Sequence, residues 1–306
     1  MVMYTALCTT LEDKMFGLPT LEYYVVLFIV GAVIGSFLNV VIYRLPIILH
    51  RQWENDAHAM LDMPHPNNIK NAPKFNLLYP GSHCPSCKQK VPYWANIPIL
   101  GYFMLLGRCH TCKQHISLCY PSIEFITALL FVYAGFINMY ASPLTLLAYL
   151  VFICFILCMI VIDYTHLILP DILTLPFLWL GLLFNCWYNF APDLNNAVMG
   201  AVLAYLMLWS VYQGFKLITK MDGMGFGDFK LFAALGAWFG YQAILPLILA
   251  ASLMSIMYTG ILAICGKYKR HQHIPFGPFL GIAGLMYLFI SPQVDLAKLI
   301  LGIQNF

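Results

Sequence analysis

Eight stretches of roughly twenty apolar residues recur along the chain, at 22–43, 122–140, 143–162, 172–190, 196–215, 229–243, 246–265 and 277–294. About twenty such residues carry a helix across the hydrocarbon core of a bilayer. A soluble domain has nowhere to hide them. Of the 306 residues, 61% are hydrophobic and 9% are charged, and the mean hydropathy is +0.77, whereas an ordinary soluble domain is roughly 25% charged. Aromatics at 15% and 18 scattered prolines exclude a coiled coil, a disordered tail and a collagen-like repeat. The expected fold is therefore an all-α polytopic membrane protein with about eight transmembrane helices. The sixth stretch is short, and is expected to tilt, to thin the bilayer around it, or to be shielded by its neighbours. Residues 1–20 carry Glu12, Asp13 and Lys14 and lack a basic start followed by an apolar run. They are not expected to be a cleavable signal, so the first stretch should stay as an anchor.

The basic residues orient these spans. With the amino terminus outside, 14 of the 16 Lys and Arg fall on the cytoplasmic side, leaving only Lys14 and Lys298 opposite. Positive loops stay inside, so both termini are expected in the periplasm. Three parts follow: 1–43 with the first span, 44–120 as a small cytoplasmic domain, and 121–306 with seven further helices. The apolar stretch Ile97–Gly107 is too short to span, and is expected to pack within that domain or to lie at the membrane interface. A net charge of +3 and a pI near 8.3 are too mild to suggest a nucleic-acid partner. By parity of crossings, Asp163, the segment 222–228 and the loop 266–278 all face the cytoplasm with the 44–120 domain.

That domain contains Cys84-x2-Cys87 and, 21 residues on, Cys109-x2-Cys112. Two CxxC turns offer four thiolates, which suit a closed tetrahedral, structural zinc site in a zinc-ribbon-like fold. Free thiols or a redox pair are the other readings, and His83, His110 and His115 are near enough to replace a thiolate. The six remaining cysteines are expected to be small buried hydrophobes.

Asp163 ends the third apolar run and Asp228 opens the sixth. An ionisable group at membrane depth is paired or functional. Two on one face suggest a carboxylate dyad, in which one protonated and one ionised acid activate water; the plain alternative makes Asp228 a helix N-cap. Gly223, Gly225 and Gly227 clear side chains from the approach to Asp228. Asp171, after Pro170, is expected to cap the fourth span or, with Gly225 and Gly227, to support the catalytic acids or contact substrate. Glu124, at the start of the second, is either a partner of the helix dipole or a contact to substrate. Asp222 reads as a solvated loop residue. Gly31-x3-Gly35 and Gly236-x3-Gly240 are spacings for close helix packing.

Together, GSFLNVVIYRLP (35–46), the paired CxxC turns with NIPILGYF between them, YPSIEF (120–125), the Asp163 to Asp171 element, GFGDFKL (225–231) and PFGPFLG (275–281) resemble the bacterial type IV prepilin peptidases. These are GxGD-class intramembrane aspartyl proteases of the inner membrane. The resemblance covers essentially the whole chain. It implies that Asp163 and Asp228 are catalytic, and that the basic leader of type IV prepilins and type II secretion pseudopilins is cut on the cytoplasmic side. It further implies that the new amino terminus is N-methylated from S-adenosylmethionine. The donor is expected near Gly107, whose lack of a side chain permits close approach. Two other readings stay open: a leader peptidase without methyl transfer, and a membrane transporter or assembly component with a zinc docking module. Residues 50–75 match no motif, and are expected to form a flexible loop or a surface for docking substrate.

Overall fold

The computed structural model describes residues 20–61, 75–138, 142–188, 192–220, 223–267 and 274–301, with backbone alone beyond 290. Nine α-helices lie among them: α1 Thr20–Met60, α2 Leu100–Met104, α3 Cys119–Ile137, α4 Pro143–His166, α5 Asp171–Tyr188, α6 Leu194–Thr219, α7 Phe226–Phe239, α8 Ile244–Ile264 and α9 Gly277–Leu301. No β-strand occurs among the described residues, only two isolated bridges. One of these helices lies over most of each of the eight apolar stretches, the sixth being met by the 14-residue α7. By length and composition, α1, α3, α4, α6 and α8 can cross a membrane, while the apolar parts of α5 and α9 are shorter. The chain divides into two compact units, one from residues 1–39 and 78–140, the other from 40–77 and 141–306.

In the first unit, α1 and α3 approach closely at glycines. A Cβ on Gly31 would lie 2.7 Å from the Ala128 Cα, and one on Gly35 the same distance from the Glu124 Cα. The first helix does not stop at residue 43. It runs through Pro46 to Met60, because 47–60 holds helix-forming Leu, Arg, Gln, Glu, Ala and Met and no glycine. The expected flexible loop at 50–75 is thus helical in its first eleven residues; 62–74 lie outside the described residues.

In the second unit α7 is the central element. From Asp228 to Phe239 every residue but Lys230 is buried, so this short helix is shielded by its neighbours. Trp238 fixes it: the indole sits 5.2 Å from the Phe152 ring of α4 and 5.3 Å from the Phe177 ring of α5. Its Nε1–H donates to the Phe177 carbonyl at 2.9 Å, which satisfies the one polar atom of a fully buried side chain. Asn185 on α5 donates to the Ala237 carbonyl at 2.9 Å. On the opposite side α6 meets α7 backbone to backbone at Gly200 and Gly236. The α9 glycines Gly281 and Gly284 admit Ile160 of α4 and Leu235 of α7.

The remaining cysteines do not all follow the expectation of burial. Cys158 is buried and Cys154 half-buried, but Cys119, Cys186 and Cys265 are exposed. On a helix facing hydrocarbon the outside is apolar too, so a thiol loses little there. Cys8 lies outside the described residues.

The Gly200–Gly236 contact leaves no room for a side chain. Gly236→Leu should lower the melting temperature of the detergent-purified protein or abolish folding, beyond the roughly 1–3 kcal/mol of ordinary overpacking. Gly260→Ala, with open space around it, should melt with the wild type.

Candidate active site and metal cluster

Asp163 sits three residues before the end of α4, where Leu167 closes the helix in the left-handed conformation at φ 56°. A carboxylate near a helix C-terminus opposes the helix dipole. Its compensation comes from α9, whose first residue, Gly277, donates its backbone N–H to the Asp163 carboxylate. A Cβ on Gly277 would lie 2.5 Å from the Asp163 Oδ2, so only glycine allows this approach.

Asp228 is not the N-cap of its helix. Gly225 holds that place, with extended backbone at φ −77°, ψ 144°, and Asp228 is the third residue inside. From there its carboxylate reaches back to accept the Gly225 N–H, which is half of a capping box. Gly227 lies against the turn before α5, where a Cβ would meet the Leu169 Cβ at 2.6 Å.

Asp163 and Asp228 are both buried, interact electrostatically and line one cavity of about 400 Å³. Gly223, Gly225 and Gly227 form part of its wall, with Met224 and the stretch Ile274–Phe276. Two carboxyl groups with glycines beside them leave room for an extended peptide backbone and for water. Gly277 as a partner of Asp163 was not read from the sequence, where it stands only within the motif PFGPFLG; its position between Pro275 and Pro278 was the available signal.

The other candidates fall elsewhere. Asp171 is the first residue of α5 rather than its cap. Its carboxylate receives the Lys230 Nζ at 2.6 and 2.8 Å, two residues beyond Asp228 on α7. The expected capping role is replaced by an ion pair, because Pro170 precedes the helix and its carbonyl already accepts the Leu173 and Thr174 N–H groups. Glu124 belongs to the first compact unit. It is buried, and accepts the Ile99 N–H at 2.7 Å and the Ser36 hydroxyl. Gly107 has a structural reason of its own: φ is +67°, and a Cβ would lie 2.6 Å from the Tyr102 hydroxyl. Asp222 lies outside the described residues.

The four motif cysteines converge. Cys84 Sγ is 3.7 Å from Cys112 Sγ, Cys87 Sγ is 4.0 Å from Cys109 Sγ, and all four lie within 4.8 Å of one another. Sulfurs at about 2.3 Å around a tetrahedral ion stand roughly 3.8 Å apart, so the cluster could hold a metal. Each half repeats the same turn. The Cys84 N–H bonds the Gln89 carbonyl and the Cys109 N–H the Gln114 carbonyl, while Lys88 and Lys113 both take φ 59°. The Cys87 and Ser86 N–H groups hold the Cys84 thiol down at about 6, and those of Cys112 and Thr111 lower Cys109. The Gln114 N–H favours the Cys112 thiolate, but burial and the neighbouring sulfurs push that thiol up to about 11. Four thiols at one point do not ionise together unaided; a cation at their centre removes the conflict.

Comparison with known proteins matches residues 29–137 to the bacterial peptidase A24 N-terminal domain, and 150–260 to the type IV leader peptidase family. A prepilin leader peptidase/N-methyltransferase of Aeromonas salmonicida is 43% identical over 292 residues, 94% of this chain and 97% of the relative. The chain belongs to the type IV leader peptidase family. Proteins with the same description from Pseudomonas putida and Pseudomonas aeruginosa are 41% and 42% identical, each over 87% of this chain and 90% of the relative. No solved structure matches the chain. The N-terminal match takes in the four cysteines and Glu124, and the family match takes in both Asp163 and Asp228.

The Asp171–Lys230 pair is partly exposed, with side-chain exposures of 57% and 32%, and such pairs contribute about 1 kcal/mol or less. Asp171→Asn should therefore shift the melting temperature only slightly and leave most activity on a prepilin substrate, read by gel shift.

Proposed function

We propose that the chain is a bifunctional inner-membrane enzyme. It cleaves the basic leader of type IV prepilins and type II secretion pseudopilins at Asp163 and Asp228, then methylates the new amino terminus. The observation carrying this reading is the pairing of two buried, electrostatically interacting carboxyl groups in one glycine-walled cavity, in a chain that belongs to the leader peptidase family. The count of Lys and Arg by side supports an N-out, C-out topology with the dyad at the cytoplasmic rim, where a basic leader meets acidic groups and where water is at hand. About eight transmembrane helices, the division into 1–43, 44–120 and 121–306, and the acidic residues Glu124, Asp171 and Asp222 belong to the same reading.

In the cleavage step the ionised carboxyl group takes a proton from water while the water oxygen bonds to the scissile carbonyl carbon. The other carboxyl group gives its proton to the carbonyl oxygen. Collapse of the tetrahedral centre breaks the C–N bond and delivers a proton to the leaving amine. The Gly277 and Gly225 N–H groups hold the two carboxylates in place. S-adenosylmethionine supplies the methyl group as a second substrate, and the freed neutral amine is its acceptor. Gly107 remains the expected neighbour of that donor, besides its place in the turn at φ +67°.

Zinc fits the four thiolates, and Cys84, Cys87, Cys109 and Cys112 would hold it with no coordination position left for chemistry. Purified protein should carry about one zinc per chain. Changing any of the four to Ser should lower the metal content, measured by elemental mass spectrometry, while Cys154→Ser should not.

The decisive experiment is mass spectrometry of a prepilin's amino terminus after incubation with pure protein and S-adenosylmethionine. Cleavage with the mass gain of one CH2 is expected from the wild type. Asp163→Asn and Asp228→Asn should each reduce cleavage by several orders of magnitude while the protein stays folded and metal-loaded, since an amide keeps the shape but cannot exchange the proton. Cleavage in either variant removes that residue from the mechanism, and cleavage without added mass leaves a peptidase alone.

A further inference from the structure

The metal-binding module displays an apolar surface that its own folding does not consume. Leu100, Phe103, Met104 and Leu106 are 59%, 65%, 63% and 86% exposed. All lie on or just after α2, a helix too short to be stable in water by itself. Leu106 is held at φ +50°, in the left-handed region that bulky side chains rarely adopt. Exposed leucines and phenylalanines gathered at one place mark a contact surface.

The position of α2 says what that surface meets. Ile99, the residue before it, has φ 62° and ψ −56°, a strained backbone for a β-branched residue. It is held there by its N–H bond to Glu124 on α3. Glu124 lies five residues inside the start of α3, about 7–8 Å along the axis, and α3 is long and apolar enough to cross a membrane. Its neighbours on α3, Phe125 and Ile126, are exposed at 47% and 46%, as on a lipid-facing helix. The start of α2 is therefore tied to the depth at which interfacial helices bury their apolar face, roughly 5–10 Å into the boundary between headgroups and acyl chains. Charge agrees with this placement. Residues 78–118 contain Lys88, Lys90, Arg108 and Lys113 and no Asp or Glu, and all four cations are exposed, the composition that anionic headgroups attract.

We propose that Leu100, Phe103, Met104 and Leu106 form an interfacial foot through which the metal module inserts into the anionic phospholipid leaflet at its own end of α3. The foot fixes the height of the module above the membrane. Glu124 is then a positioning residue for α2, independent of any catalytic role.

The test uses the full-length protein in nanodiscs containing phosphatidylglycerol whose acyl chain carries a diazirine next to the glycerol. After illumination, digestion and mass spectrometry, adducts are expected on the peptide containing Leu100–Leu106. Peptides from the exposed helix α8 serve as the internal control for insertion. Leu100→Gln/Phe103→Gln should bring labelling of that peptide to background, with metal content showing that the module is still folded. Replacing phosphatidylglycerol by phosphatidylcholine, with the probe on the latter, should lower it severalfold. Labelled α8 with an unlabelled 100–106 peptide in the wild type overturns the proposal. Labelling indifferent to lipid charge overturns the anionic part. Cleavage is not read, so failure of the peptidase reading leaves this result standing.

Discussion

The placement of the two carboxylates rests on the aromatic clamp around Trp238. Phe152 lies eleven residues before Asp163 on α4, and Trp238 lies ten residues after Asp228 on α7. At 1.5 Å per residue these are near-equal lengths of roughly 15–17 Å. The helices run in opposite senses from the clamp, so locking Phe152 against Trp238 brings Asp163 and Asp228 to the same level. The clamp is directional as well as apolar, because the indole N–H must meet the Phe177 carbonyl; a slip of one residue would bury that donor unpaired, at a penalty of about 1–3 kcal/mol. A register held this firmly permits a site built from only a few short contacts.

The four-cysteine segment solves a different problem. Its stretch 78–118 has few buried apolar side chains and several exposed ones, so burial alone cannot define its shape. Two copies of the same turn, each aiming backbone N–H groups at sulfur, supply the definition instead. Glu124 then carries the connection to the helix pair α1 and α3. Its backbone abuts Gly35, and its side chain accepts from Ser36 and Ile99. The carboxylate read from sequence as a dipole partner or substrate contact thus fastens the start of α2 to α3.

What could be read in the sequence was whatever depends on spacing along the chain. Apolar runs, paired CxxC turns and acids at the ends of apolar runs are all local patterns, and a helix or a turn appears at each of them. What could not be read depends on which segment lies across from which. The Gly277 N–H reaching Asp163 joins residues 114 apart, and the Lys230–Asp171 pair joins residues 59 apart. That Gly225 caps α7, and not Asp228 as in the plain alternative to the dyad, was not legible for a subtler reason. An acid at the third helical position and an acid at the cap look alike in sequence, and only the backbone angles at Gly225 separate them.

The Asp163–Asp228 pair also shows how a membrane protein can keep two acids buried with no basic partner beside them among the described residues. Each carboxylate takes an N–H from the N-terminal end of a different helix, Asp163 from α9 and Asp228 from α7. Helix N-termini present unpaired donors and the positive end of the dipole, so they offset part of the desolvation of the acids without adding a cation that would neutralise them. A lysine in place of either N–H would hold its carboxylate ionised and also fill the cavity. The donors here come from glycines, and the contact that holds the acid in place leaves the space beside it open. Support of the carboxylates and the open space beside them therefore have one structural origin, the missing side chains at residues 225 and 277.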